Sequence, residues 1–150
     1  MINKLIIEAK ITINAPVSKV WDALVNPEIT KKYMFGCEVV SSFKVGSPIL
    51  WKGLMEDKEV VFVKGEVVDI KSEKHLAYTT FDPNSEIEDI PENYTTVSYD
   101  LLSNNDQTIL SVTHGDYATV AEGEKRYNDT MSGGGWDSIL ATIRDLVEGK

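Results

Sequence analysis

The chain has 150 residues, 42% of them hydrophobic and 26% charged, a balance that suits a soluble globular protein with a sizeable core. Its 15 basic and 24 acidic side chains leave a net charge of −9, which argues against tracking a nucleic-acid backbone and makes solubility the plain role of the charge. One cysteine, Cys37, allows no intrachain disulfide, and no stretch reaches the roughly 20 apolar residues of a membrane span, so a single domain over residues 1–150 in a reducing, cytoplasmic compartment is expected.

Residues Leu5 to Ile13 alternate, with Leu5, Ile7, Ala9, Ile11 and Ile13 on one side, and this predicts a half-buried strand. Asn14-Ala15-Pro16 opens a helix in which Val17, Val20, Trp21, Leu24 and Val25 form one apolar stripe. Asn26-Pro27 ends it and caps a second short helix to about Tyr33. Strands follow over Glu38 to Phe43, Ile49 to Met55 and Val60 to Ile70, the last with Gly65 inside it as the mark of a bulge or bend. Leu76 to Phe81 is a further strand, and the acidic stretch from Asp82 to Glu92, with Pro83 and Pro91, is a loop. Tyr94 to Leu102 and Thr108 to His114 flank Ser103-Asn-Asn-Asp106, a strong hairpin signal. One long helix is expected from near Val120 to near Glu148, interrupted by Gly133-Gly-Gly135, where a bend or irregular turn is predicted because each glycine costs a helix about 1 kcal/mol relative to alanine. Strand one is separated from the rest by helices, so it must pair at an edge or across the sheet. The fold class is therefore α+β: a curved antiparallel sheet wrapped around a long C-terminal helix.

Four patches resemble a known family. They are Ile13-Asn-Ala-Pro-Val-Ser-Lys-Val-Trp-Asp-Ala-Leu24; Gly65-Glu-Val-Val68 with Leu76-Ala-Tyr78; Thr108-Ile-Leu-Ser-Val-Thr-His114; and Gly135-Trp136 with Leu140 and Glu148-Gly149. Together they cover almost the whole chain and are similar to the helix-grip fold of the START-like (SRPBCC, Bet v 1-like) superfamily, and within it to the activator of Hsp90 ATPase homologue (AHSA1-like) family. The resemblance implies two short helices after strand one and a cavity between the curved sheet and the long helix. In that superfamily the cavity commonly holds lipids, hormones or polyketide-like molecules, or is adapted to hydrolysis or cyclisation. The eponymous chaperone co-factor has a further N-terminal domain that this chain does not match.

Small-molecule sites combine an apolar lining with a few polar handles. The expected ligand-binding residues are Trp51, Met55, Tyr78, Tyr99, His114, Tyr127 and Met131. Their competing reading is packed core, to which Trp21 and Trp136 are assigned because they lie on periodic helical stripes. His114 shares a strand face with Leu110 and Val112; it is either a general base beside a cavity tyrosine such as Tyr78 or Tyr99, or a histidine satisfied at the end of the sheet, and the second reading is preferred. His75, in a Lys/Glu turn, is expected to be solvated, as are the loop carboxylates. Two histidines and one cysteine far apart match no zinc spacing, so no metal and no cofactor are expected. Ser132-Gly-Gly-Gly135 lacks the context of a phosphate loop, and there is no serine-hydrolase elbow. The expected function is binding of a small apolar or aromatic ligand. The alternatives are an enzyme of the same fold, cyclase- or hydrolase-like, using His114 and a cavity tyrosine, and a chaperone-linked interaction module with an acidic surface. No nucleic-acid or membrane partner is expected, and a homodimer is left open.

Overall fold

The computed structural model describes residues 5–132 and 135–149. Its elements follow the apolar periodicity closely through the first four-fifths of the chain. Strand β1 is Ile7–Ile13 and ends on the buried Ile13. Helix α1 (Val17–Val25) buries Val20, Ala23 and Leu24, with Trp21 partly buried beside them. Helix α2 (Pro27–Tyr33) has the expected cap: the Asn26 side chain accepts from the Glu28 backbone N–H at 3.0 Å. The strands β2 (Glu38–Ser41), β3 (Pro48–Met55), β4 (Lys58–Lys71), β5 (His75–Thr80), β6 (Thr95–Asn104) and β7 (Gln107–Gly115) then run as an antiparallel meander.

The sheet order is β1-β7-β6-β5-β4-β3-β2, so β1 closes one edge by pairing with β7. Two hairpins turn on residue pairs with positive φ, Glu56-Asp57 and Asn105-Asp106, the conformation of a type I′ turn. β4, at 14 residues, pairs with β3 through its first part and with β5 through its second. Two bulges mark the change of partner, one leaving Phe62 opposite no residue of β3 and one leaving Val68 opposite no residue of β5. Gly65 lies between them. A Cβ there would stand 1.6 Å from the Thr79 carbonyl oxygen, so the bend depends on direct contact between two backbones.

The C-terminal part starts later than expected and meets at Gly135 the interruption that the glycines predict. In place of one helix from Val120 there are two: α3 (Gly123–Ser132) and α4 (Gly135–Glu148), preceded by a 3-10 turn at Tyr117–Thr119. Gly135 opens α4 with φ +57°, which favours glycine, while Gly133 and Gly134 lie outside the described residues. Of these two, α4 is the core helix. It buries Trp136, Leu140 and Ile143 against the sheet, each worth about 1.5–3 kcal/mol for full burial. Its far end is tied to the start of α1, where the Asn14 N–H donates to Glu148 Oε2 at 2.8 Å. At 14 residues it spans about 21 Å, half the length of the helix predicted. α3 is polar on every turn and buries only Gly123.

Candidate functional site: a cavity with one polar wall

Strand register assembles the site. Val67, Tyr78, Val97 and His114 pair successively across β4, β5, β6 and β7, and so form one row on the concave face. Thr80 and Thr95 pair with each other two residues further along. Above this face a cavity of about 560 Å³ remains between sheet and helices, within the range of small-molecule sites. Its β3–β4 side is apolar, with Trp51, Phe62 and Val63, and Met34, Phe35 and Cys37 from the segment after α2. Consecutive residues of a strand point to opposite faces; Phe62 and Val63 both reach the cavity because the bulge at Phe62 breaks the alternation. The β6–β7 side is polar, with Thr80, Thr95, His114 and Tyr117, faced by Arg126, Asp129 and Thr130 of α3. Trp136 and Ile139 of α4 complete the lining.

His114 is the centre of the polar wall, and its tautomer follows from its partners. The indole Nε1 of Trp136 can only donate, and it donates to His114 Nδ1 at 3.1 Å. Nδ1 therefore carries no proton, and Nε2–H donates to Thr95 Oγ1 at 2.9 Å. Thr95 Oγ1 in turn lies 2.9 Å from Thr80 Oγ1. The Tyr117 hydroxyl stands 3.3 Å from Nδ1 and 3.2 Å from Nε2, an equidistance that places it over the ring and not along either nitrogen's axis. Burial, and then the nearby charge of Arg126, lowers the imidazole pKa from 6.5 to about 4. His114 is thus a neutral ring with its one lone pair occupied.

The aromatic groups form a continuous chain. Trp51 contacts Tyr78 (6.1 Å between ring centroids), Tyr78 contacts Tyr99 (6.3 Å), and Tyr99 meets Trp136 edge-on (5.7 Å). From Trp136 it continues through His114 and Tyr117 to Tyr127. Of the expected binding residues, Trp51, Tyr78 and His114 line the cavity. Tyr99 lies behind the lining, 2% exposed; burial drives its pKa up, and its hydroxyl forms no hydrogen bond of regular geometry although the Tyr78 hydroxyl couples to it. Tyr127 packs on Tyr117 from outside. Met55 does not line the cavity: it closes the β3–β4 hairpin and is 55% exposed. Met131 is 49% exposed on α3, which presents Arg126 and Thr130 to the cavity instead. Trp136 is buried as expected, and it also lines the cavity and holds His114.

Other polar residues also found partners. His75 is not simply solvated: its Nδ1 lies 2.8 Å from Asp100 Oδ1 across the β5–β6 pair, with Asp69 Oδ2 3.5 Å from Nε2. The acidic loop is anchored by Lys64 to Asp89 and by the Tyr94 hydroxyl, which donates to Asp89 at 2.7 Å. Cys37 is buried, and burial pushes its thiol pKa up. Among the described residues no cluster of three or more potential metal ligands occurs, and no helix is long and apolar enough to cross a membrane.

Sequence reasoning missed Thr80, Thr95 and Arg126. The threonines carried a usable signal, since each sits two residues from an inward-facing apolar position (Tyr78 and Val97) and so belongs to the buried face. Arg126 carried a weaker one, being one of two arginines in an acidic chain.

A curved antiparallel sheet gripping a C-terminal helix over a cavity is the helix-grip architecture. The family described as activator of Hsp90 ATPase homolog 1-like protein matches residues 14–148, and the chain belongs to it. The protein ChR145 from Cytophaga hutchinsonii, known from its solution structure, is 36% identical with a TM-score of 0.76, covering 99% of this chain and 97% of that one. The Aha1 dimer from Colwellia psychrerythraea is similar in fold at 21% identity and TM-score 0.67, covering 95% of this chain and 96% of that one. An Hsp90 activator from Plasmodium falciparum is similar at 16% identity and TM-score 0.59, covering 74% of this chain and 72% of that one. Among curated proteins, none matches this sequence.

Proposed function

We propose that this chain is a single-domain, cytoplasmic binding protein for a small apolar molecule held between the curved sheet and the C-terminal helices. The observation that carries this reading is the cavity of about 560 Å³, apolar on one side and hydrogen-bonding on the other. Catalysis through His114 is the weaker reading, because its unprotonated nitrogen already accepts from Trp136. The test is a titration with neutral probes, 1-decanol and 2-naphthalenemethanol, followed by melting temperature and by the tryptophan indole N–H signals in NMR. A ligand at a hundred times its Kd stabilises by about 2.7 kcal/mol, or about 5–10 °C for a chain of this size. The indole signals of Trp51 and Trp136 should move and that of Trp21, which does not line the cavity, should not. No shift with any probe, neutral or charged, overturns the reading.

A second reading, association with an Hsp90-type chaperone, is supported by the family description. Capture by purified Hsp90 at low salt, weakening at high salt, is its expected signature given the net charge of −9. Absence of capture at low salt counts against it. Self-association as a homodimer is a further proposal, supported by the dimeric Colwellia relative, and sedimentation analysis decides it.

A further inference from the structure

Arg126 is in an unusual position for a cation in this chain. It is half-buried on the inner side of α3 and lines the cavity. Its Nη1 donates to two backbone carbonyls, Asn93 O at 3.1 Å and Ala121 O at 3.3 Å. These neutral acceptors hold the guanidinium in place without forming an ion pair. No ion pair joins it to a carboxylate among the described residues, and its Nε and Nη2 hydrogens have no acceptor there, although the chain carries 24 acidic side chains. The other arginine, Arg144, pairs with Asp145 at 3.1 Å.

The groups beside Arg126 are also set to donate. Trp136 can only give its proton, so His114 must accept at Nδ1 and donate from Nε2 to Thr95. Thr95 can then pass its own proton to Thr80, which leaves the Thr80 hydroxyl hydrogen for the cavity. A fixed cation and a terminal O–H donor on one wall suit an acceptor that is itself negative. The opposite wall, with Trp51, Phe62 and Val63, suits an apolar body. Two carboxylates, Asp82 and Asp129, also line the cavity, but both side chains are exposed at its rim, and Asp82 Oδ1 accepts from the Asn84 N–H at 2.8 Å.

We infer that the occupant is an apolar monocarboxylate, its carboxylate against Arg126 and Thr80 and its hydrocarbon or aromatic body against Trp51 and Phe62. This rests on the cavity-binding reading above and adds to it the chemistry of the ligand. Charge-assisted bonds from a guanidinium fork are about twice as strong as neutral ones, so the acid is expected to bind at least about tenfold more tightly than the matching alcohol.

The experiment uses the full chain and two sets of probes: decanoate, 1-decanol and decylamine, and the corresponding acid, alcohol and amine of 2-methylnaphthalene. Binding is read by quenching of Trp51 and Trp136. The expected result is acid over alcohol by about tenfold or more in at least one set. Arg126→Gln should bring that ratio to about one, the acid losing far more affinity than the alcohol. Arg126→Lys, which keeps the charge but loses the fork, should retain a smaller preference for the acid and serves if the glutamine variant does not fold. Equal binding of acid and alcohol, or tighter binding of the amine through Asp82 and Asp129, overturns the inference and leaves the cavity reading standing. Absence of binding by every probe overturns both.

Discussion

Hydroxyl and imidazole groups in this interior differ in how fully their polar atoms are met. The Tyr33 hydroxyl donates to Ala23 O at 2.7 Å in the core, whereas the Tyr99 hydroxyl has no such bond. Tyr33→Phe is therefore expected to cost about 1 kcal/mol, and Tyr99→Phe to be neutral or slightly stabilising, since the group lost was buried without full compensation. Urea denaturation of the two variants compares them directly. His114 gives a pH dependence with a definite sign. Its folded-state pKa is about 4 against the ordinary 6.5, so the folded protein favours the neutral ring. As pH falls from 6.5 to 4 the unfolded chain takes up a proton that the folded chain refuses, and stability drops by up to about 3 kcal/mol, levelling off below 4. His114→Gln should flatten this part of the stability curve. An unchanged slope would mean that the ring is not held neutral.

Elements carry both what the sequence made legible and what it hid. Strands and hairpins could be read because alternation has a period of two and the turn residues Glu56-Asp57 and Asn105-Asp106 punctuate it, whereas the partner of β1 could not. The α2 cap was legible from Asn26-Pro27 alone. The cavity wall was not, because it depends on exceptions to periodicity. The bulge at Phe62 turns two neighbours to the same side, and nothing in Val60-Val-Phe-Val63 announces it. Met55 was misplaced for the related reason that parity along β3 gives a side but not a depth: the strand's last residue stands exposed at the hairpin. Arg126 stayed hidden because Gly123–Ser132 has no apolar stripe to orient it. Gly65, by contrast, was visible as an anomaly, and its cause is now specific. Gly65→Ala would drive a methyl group into the Thr79 carbonyl, so a loss of about 3 kcal/mol or more is expected, measurable as a large fall in melting temperature or failure to fold. A near-native melting temperature would show that the two backbones can separate at the bend.

Across the whole molecule, one cavity wall is built from two helices of unequal holding. α4 is secured by Trp136, Leu140 and Ile143 and by the Asn14–Glu148 tie. α3 buries only Gly123 and is connected to the rest through Arg126, which reaches Asn93, and through the Tyr117–Tyr127 contact. With α3 burying so little and Gly135 opening α4 at positive φ, these parts can open separately. Amide hydrogen exchange should record this as fast, local exchange along α3 and exchange along α4 only when the sheet itself unfolds; equal protection in both would mean that they open as one unit. The consequence is kinetic. A guest bound as proposed would leave beneath α3 without waiting for the core to come apart, so its residence time would be set by α3 and not by the unfolding of the protein.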